Sequence, residues 1–171
     1  MNRLWSPWRM KYITSPKTQE CVFCQLPAEN RDEVNLILYR GDLCYVVLNR
    51  YPYNNGHLMV IPYQHVDTPL ALEPAVLTEM MDCANLCLAS LADCMHPDGY
   101  NIGMNLGTSA GAGIKDHIHL HIVPRWTGDT NYMPVIGETR VISESLDNTF
   151  AKLKRALDRL VNAPDENSSL H

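Results

Sequence analysis

Three of the chain's seven histidines, His117, His119 and His121, alternate within DHIHLHIVPRW (116–126). In a strand, residues i, i+2 and i+4 point to one face, so the three imidazoles share a side while Ile118, Leu120 and Ile122 pack on the other. An isolated strand histidine is more often structural than functional; three in alternation on an apolar back point to chemistry. A single metal held by all three does not fit. Neighbours stand about 6.6 Å apart and the outer pair about 13 Å, too far for three Zn–N bonds of about 2.0–2.1 Å to converge. At least one histidine therefore has a different task. Immediately upstream, GTSAGAG (107–113) can present backbone N–H groups unobstructed by large side chains, a concavity suited to phosphate oxygens. A neutral imidazole poised over phosphorus is a competent nucleophile, because histidine changes charge near neutral pH. A second cluster starts from Cys21 and Cys24 in CVFC, which have the spacing of two ligands to one zinc ion. A redox pair is the alternative, but no thioredoxin-like βαβ pattern surrounds it.

These residues must be held by a framework, and its elements are legible. LILYR (36–40) and CYVVLN (44–49) are strand-like and flank a Gly41-Asp42 turn; HLMVIPY (57–63) is a third strand after YPYNNG. From Pro74, the residues Leu77, Met80, Met81, Ala84, Leu88, Leu91 and Met95 recur at helical spacing, and His96-Pro97-Asp98-Gly99 ends the run. YNIGMNL (100–106) and the histidine segment are the fourth and fifth strands. Leu146, Phe150, Leu153, Leu157 and Leu160 mark a C-terminal helix. Short turns between the first three strands argue for an α+β fold: a five-stranded antiparallel sheet with a central helix and a C-terminal helix. Residues 1–20 read as an N-terminal arm and 162–171 as a flexible tail.

The 171 residues suit one domain. A net charge of −5 gives no general attraction to nucleic acid or anionic lipid, so any anion must be captured locally. No uninterrupted apolar run approaches the roughly 18 residues of a membrane span, and the charged, proline-broken N-terminus is not a secretory signal. Cys83, Cys87 and Cys94 fall in the helical pattern as buried free thiols, which points to a reduced, cytoplasmic compartment.

The run His117-Ile118-His119-Leu120-His121-Ile122-Val123 fits the pattern His-φ-His-φ-His-φ-φ and resembles the histidine triad (HIT) family of nucleotide-binding proteins. The likeness extends to Asn49 eight residues before His57, to GHLMVIP (56–62) and to the AGAG loop, together spanning roughly 21–126; residues 21–161 would form the HIT-like domain. The extension PRWTGDTNYMP (124–134) and the opening LWSPWRMKYI look like the branch containing diadenosine tetraphosphate phosphorylases.

The resemblance implies that His119 attacks the α-phosphorus of an adenine nucleotide or dinucleoside polyphosphate, forming a nucleotidyl-histidine intermediate. His121 and His57 would line the phosphate site, and Asn49 would bind ribose. Trp126 could stack on the base, a buried structural role being the alternative. Gly111, Ala112, Gly113 and the Asn105 side chain are the candidate donors to phosphoryl oxygens. It also implies a structural zinc held by Cys21, Cys24, His65 and His117, and a homodimer. The chain departs from the family pattern in one place. Gly113 and Ile114 stand where a Gln and a Ser or Thr are usual. That leaves the leaving group and the acceptor (water, phosphate or another) open, and keeps a nucleotide-binding regulatory module with vestigial catalysis as the rival reading.

Overall fold

The computed structural model describes residues 20–129 and 144–163. Except for Glu20, Asn162 and Ala163, the N-terminal arm and the tail lie outside them, as does the extension beyond Asp129. The sheet contains β1 (Ile37–Arg40), β2 (Cys44–Leu48), β3 (Leu58–Pro62), β4 (Gly99–Gly103) and β5 (Leu120–Arg125), in the order β1-β2-β3-β5-β4. Every neighbouring pair is antiparallel, as the short turns imply. His117 and His119 lie on the segment leading into β5, and only His121 is inside it.

Helix α3 (Pro74–Met95) begins with Pro74 in its first turn and ends at His96, whose φ of 47° is left-handed, before Pro97. It buries Val76, Met80, Cys83, Ala84, Cys87 and Leu91. Met81 is half exposed, so the apolar stripe is narrower than the sequence pattern suggested. By length and mean composition this helix is apolar enough to cross a membrane, although Glu79, Asp82 and Asp93 interrupt its apolar residues. Its apolar face is instead committed to β2, β3 and β5. Helix α4 (Leu146–Val161) starts at Ser145, whose hydroxyl accepts the Asn148 N–H. It packs Leu153 and Leu157 into the core against α3 and β1, while Leu160 is partly exposed.

Two short helices were not foreseen: α1 (Val22–Ala28) and α2 (Asp32–Asn35). Seven residues interrupted by Pro27 are too few to hold a helix alone. Side chains from elsewhere do so. The Tyr45 hydroxyl donates to the Phe23 carbonyl (2.8 Å), the Asn35 amide to that of Leu26 (3.0 Å), and the Arg40 guanidinium to that of Pro27 (2.9 Å).

Register decides what faces the site. Val47 lies opposite Met59, Met59 opposite His121, and His121 opposite Gly103, forming one cross-strand row. By strand alternation Tyr45, His57 and His119 share the face of this row. The opposite face carries Val46, Leu58, Val60, Leu120 and Ile122, all buried. Gly56 makes the turn into β3 with φ 74°, beside Met95 and Leu91, where a side chain would be both strained and crowded. That turn sets His57 at the head of β3, with its N–H donating to the Asn54 carbonyl.

Candidate active site

An open, mostly apolar cleft lies on the histidine face, lined among others by Phe23, Val47, Met59, Tyr53, Ile114, His119 and His121. An apolar concavity with a few convergent polar groups is the usual form of a small-ligand site. The sequence reading placed His119, His121, Asn49 and Gly113 at such a site, and all four line the cleft.

Fixed hydrogen-bond partners determine the proton on each imidazole. The backbone N–H of Tyr53 donates to His57 Nδ1 (3.1 Å), so His57 carries its proton on Nε2. His57 Nε2–H therefore donates to His121 Nδ1 (2.9 Å), and His121 carries its proton on Nε2. That Nε2–H is buried and has no hydrogen-bond partner among the described residues. The Nδ1–H of His119 donates to the His117 carbonyl (2.9 Å), which leaves the lone pair on Nε2. One cleft thus combines an imidazole lone pair with an unpaired imidazole N–H, a nucleophile beside a donor.

The same burial keeps the rings neutral. Burial, with His121 and His119 nearby, pushes His57 down to about 3. Burial and the His119 ring push His121 down to about 4, and burial lowers His119 as well. Unfolded histidine titrates near 6.5, so between that value and the folded values the unfolded chain binds more protons. Stability is full above about 6.5 and falls as pH drops toward 3. The two groups together predict a loss on the order of 10 °C in Tm between pH 7 and 5, above the carboxylate range. Thermal melts of chelator-treated protein check this without proton competition at the thiols; a Tm unchanged over that interval would contradict neutral, buried rings.

Several candidates sit elsewhere than expected. His57 does not line the cleft; it stands one layer behind, completely buried, and orients His121. The Gly111 and Ala112 N–H groups close the loop's own turns onto the Thr108 and Gly107 carbonyls, so they are not aimed at phosphate. Asn105 lies outside the cleft lining, and Trp126 does too: its indole N–H donates to the Met95 carbonyl (3.4 Å). Asn49 holds the Tyr51 N–H through Oδ1 (2.9 Å) and reaches His57 Nδ1 through Nδ2 (3.2 Å). An amide has further donor and acceptor positions with which to meet a ribose. No sequence signal pointed to Phe23, Tyr53, Met59 or Arg50, the last being the only Lys, Arg, Asp or Glu among the described lining residues. Alternation from His121 through the strand register could have found Met59 and Val47, but no local signal marks Phe23.

Cys21 Sγ, Cys24 Sγ, His65 Nδ1 and His117 Nδ1 lie within 4.8 Å of one another. Individual separations are 3.3 Å for Cys21–His117, 3.6 Å for Cys24–His117, 3.5 Å for Cys24–His65 and 3.2 Å for His65–His117. Tetrahedral bonds of about 2.05 Å to nitrogen and 2.3 Å to sulfur imply donor separations of about 3.3–3.8 Å, so these four residues fit a metal ion. His117 is prepared for it: Nε2–H donates to the Pro62 carbonyl (2.8 Å), turning the Nδ1 lone pair toward the cysteines. Burial and the adjoining Cys21 raise the Cys24 thiol, a penalty that a bound cation would offset.

The sequence also compares directly with known proteins. Residues 30–128 match the HIT domain family model. The chain is 39% identical over 158 residues to AP-4-A phosphorylase of Mycobacterium tuberculosis, covering 87% of this chain and 80% of that protein. It is 30% identical over 151 residues to adenylylsulfatase HINT3 of Arabidopsis thaliana, covering 88% and 71%. The crystal structure of a Zn-bound histidine triad family protein from Mycobacterium smegmatis superposes with a TM-score of 0.69 at 26% identity, covering 85% of this chain and 98% of that one. With the family match spanning more than half its length and the alternating histidines gathered on one cleft, this chain belongs to the histidine triad (HIT) family.

Proposed function

We propose that this protein is a nucleotidyl-transferring enzyme of the diadenosine tetraphosphate phosphorylase type. The observation that carries the reading is the pairing of the His119 Nε2 lone pair with the His121 Nε2–H, unpartnered among the described residues, at one cleft. The likeness to the mycobacterial AP-4-A phosphorylase supports the choice of substrate.

In the first step His119 Nε2 attacks the α-phosphorus. The P–N bond forms as the P–O bond to the remaining polyphosphate breaks, and the bonding electrons leave with that oxygen. His121 Nε2–H meets the charge that develops on the phosphoryl or leaving oxygen. The His117 carbonyl, accepting from His119 Nδ1, stabilises the positive charge arising on the attacking ring. In the second step an acceptor oxygen attacks the same phosphorus as the P–N bond breaks. The bonding electrons return to His119 Nε2, restoring the neutral ring, and any proton on the acceptor passes to the departed polyphosphate oxyanion or to water. Arg50 at the rim supplies the cleft's cationic side chain, and Asn49 is set to hold the ribose. The apolar wall of Phe23, Val47 and Met59 suits a base.

Zinc in the Cys21, Cys24, His65, His117 set would be structural, since four protein ligands leave no open position. The Zn-bound relative supports this identity for the metal. A homodimer joined at β4 is part of the same proposal: β4 is an edge strand, with Ile102 and nearby Leu106 about half exposed. The reduced thiols support a cytoplasmic setting.

Incubation with diadenosine tetraphosphate, with and without inorganic phosphate, tests the proposal. Phosphate-dependent release of ADP is expected; release of AMP in its absence would make the enzyme a hydrolase instead. Ile114, an apolar side chain lining the cleft, favours the rival binding module. Nucleotide binding without turnover under either condition would select that rival.

A further inference from the structure

We propose that α1 couples the metal set to the nucleotide cleft through Phe23, so that metal and nucleotide each tighten the binding of the other. The proposal rests on both readings above, a metal at the cysteine–histidine set and a nucleotide in the cleft.

The helix serves two sites with interleaved residues. Cys21 and Cys24 face His65 and His117 in the metal set, whereas Val22, Phe23 and Leu26 line the cleft. Phe23 lies between the two cysteines in sequence and between the two sites in space. Its ring is edge-on to both functional imidazoles, with centroids 5.7 Å from His117 and 4.9 Å from His119, and it is 4% exposed. Movement of this ring disturbs the nucleophile and the cleft wall together.

The two ends of α1 are anchored unequally. Near the C-terminal end, Asn35 and Arg40 donate to the Leu26 and Pro27 carbonyls, and Arg40 is itself held by both oxygens of Asp32. At the N-terminal end Cys21 makes no side-chain cap bond, and the first turn has no acidic residue to favour it. Apart from packing by Phe23, the ties there among the described residues include the Tyr45 hydroxyl on the Phe23 carbonyl, the Gln25 amide on the exposed Glu20 carboxylate, and the contacts of Cys21 and Cys24 with the metal-set histidines. A cation that draws four donors together fixes the turn carrying Val22 and Phe23. A nucleotide packed on that wall orders the same turn. When two ligands each order one element, the first to bind lightens the ordering required by the second, and the coupling is reciprocal.

The experiment uses the full chain, zinc-loaded or chelator-stripped, with metal content and far-UV circular dichroism recorded for each sample. AMP is the probe. Calorimetry is expected to give an AMP Kd about 10-fold weaker in stripped protein, within the usual range of such couplings. Saturating AMP should strengthen zinc retention against a competing chelator by the same factor. In Phe23→Leu and Phe23→Ala, zinc should still bind while the coupling factor falls toward one. An AMP Kd the same in loaded and stripped folded protein overturns the linkage. An undiminished coupling factor in folded Phe23→Leu, however weak its AMP binding, reduces Phe23 to a structural role and overturns its part. The underlying readings fail in different ways: wild type that binds AMP but takes up no zinc refutes the metal site, and wild type that takes up zinc but binds no AMP refutes the nucleotide site.

Discussion

His119→Ala is expected to lower kcat by about 10⁴-fold or more while AMP affinity stays within a few-fold of wild type. The split follows from what the ring does. Its Nδ1–H is committed to the His117 carbonyl and its Nε2 carries the lone pair, so its main contribution is the bond it makes to phosphorus. Binding is distributed over other groups, among them the apolar wall of Phe23, Val47 and Met59, with Asn49 and Arg50. His119 is buried but lines the cleft, so removing its imidazole enlarges a space continuous with that cleft rather than a sealed cavity, and the variant should fold. Single-turnover assays with diadenosine tetraphosphate, alongside calorimetry with AMP, give both quantities. Turnover within 10-fold of wild type would remove His119 from the chemistry.

The second large effect is on stability. Cys21→Ser combined with Cys24→Ser should release about one equivalent of zinc and lower Tm by roughly 10 °C. The chain has a substantial core of its own, built on β2, β3, β5 and α3, so the fold should persist where a small zinc finger would not. The loss should fall on α1 and on His117, whose ring is aimed at the metal by the Pro62 carbonyl. Metal analysis with parallel thermal melts checks both parts. Wild type purified without metal, melting at the same temperature as the variant, would contradict a structural ion.

The main framework was legible because it is written in local patterns. β-Branched and aromatic runs between turns marked the first strands, alternation marked the histidine strand, three-four spacing marked α3 and α4, and short turns implied antiparallel pairing. Helix α1 was not legible because its hydrogen bonds to Tyr45, Asn35 and Arg40 come from distant parts of the chain, and in VFCQLPA the helix formers Gln25, Leu26 and Ala28 are too few and too interrupted by Pro27 to announce a helix. The same limit applies to the site. The three histidines and the metal donors announce themselves by residue type. Phe23 and Met59 become wall residues only through packing and register, and Tyr53 only through a loop that reads as turn chemistry. For Trp126 the structural alternative fits: an aromatic residue close in sequence to the histidines has its indole N–H turned toward the Met95 carbonyl. Gly111 and Ala112 look like free donors until the loop is seen to use their N–H groups itself. Division of labour among the histidines was anticipated from strand spacing, but the order of protons along His57, His121 and His119 needed their fixed partners.

The central claim is that a nucleotide passes through a covalent bond to His119, and stereochemistry at phosphorus tests it most directly. A dinucleoside tetraphosphate with a single-configuration phosphorothioate at the α-position should yield, with inorganic phosphate as acceptor, a thio-substituted ADP of retained configuration. Retention is the result of two successive in-line displacements, the first by His119 Nε2 and the second by phosphate. Inversion would mean a single direct attack by the acceptor and would contradict the intermediate.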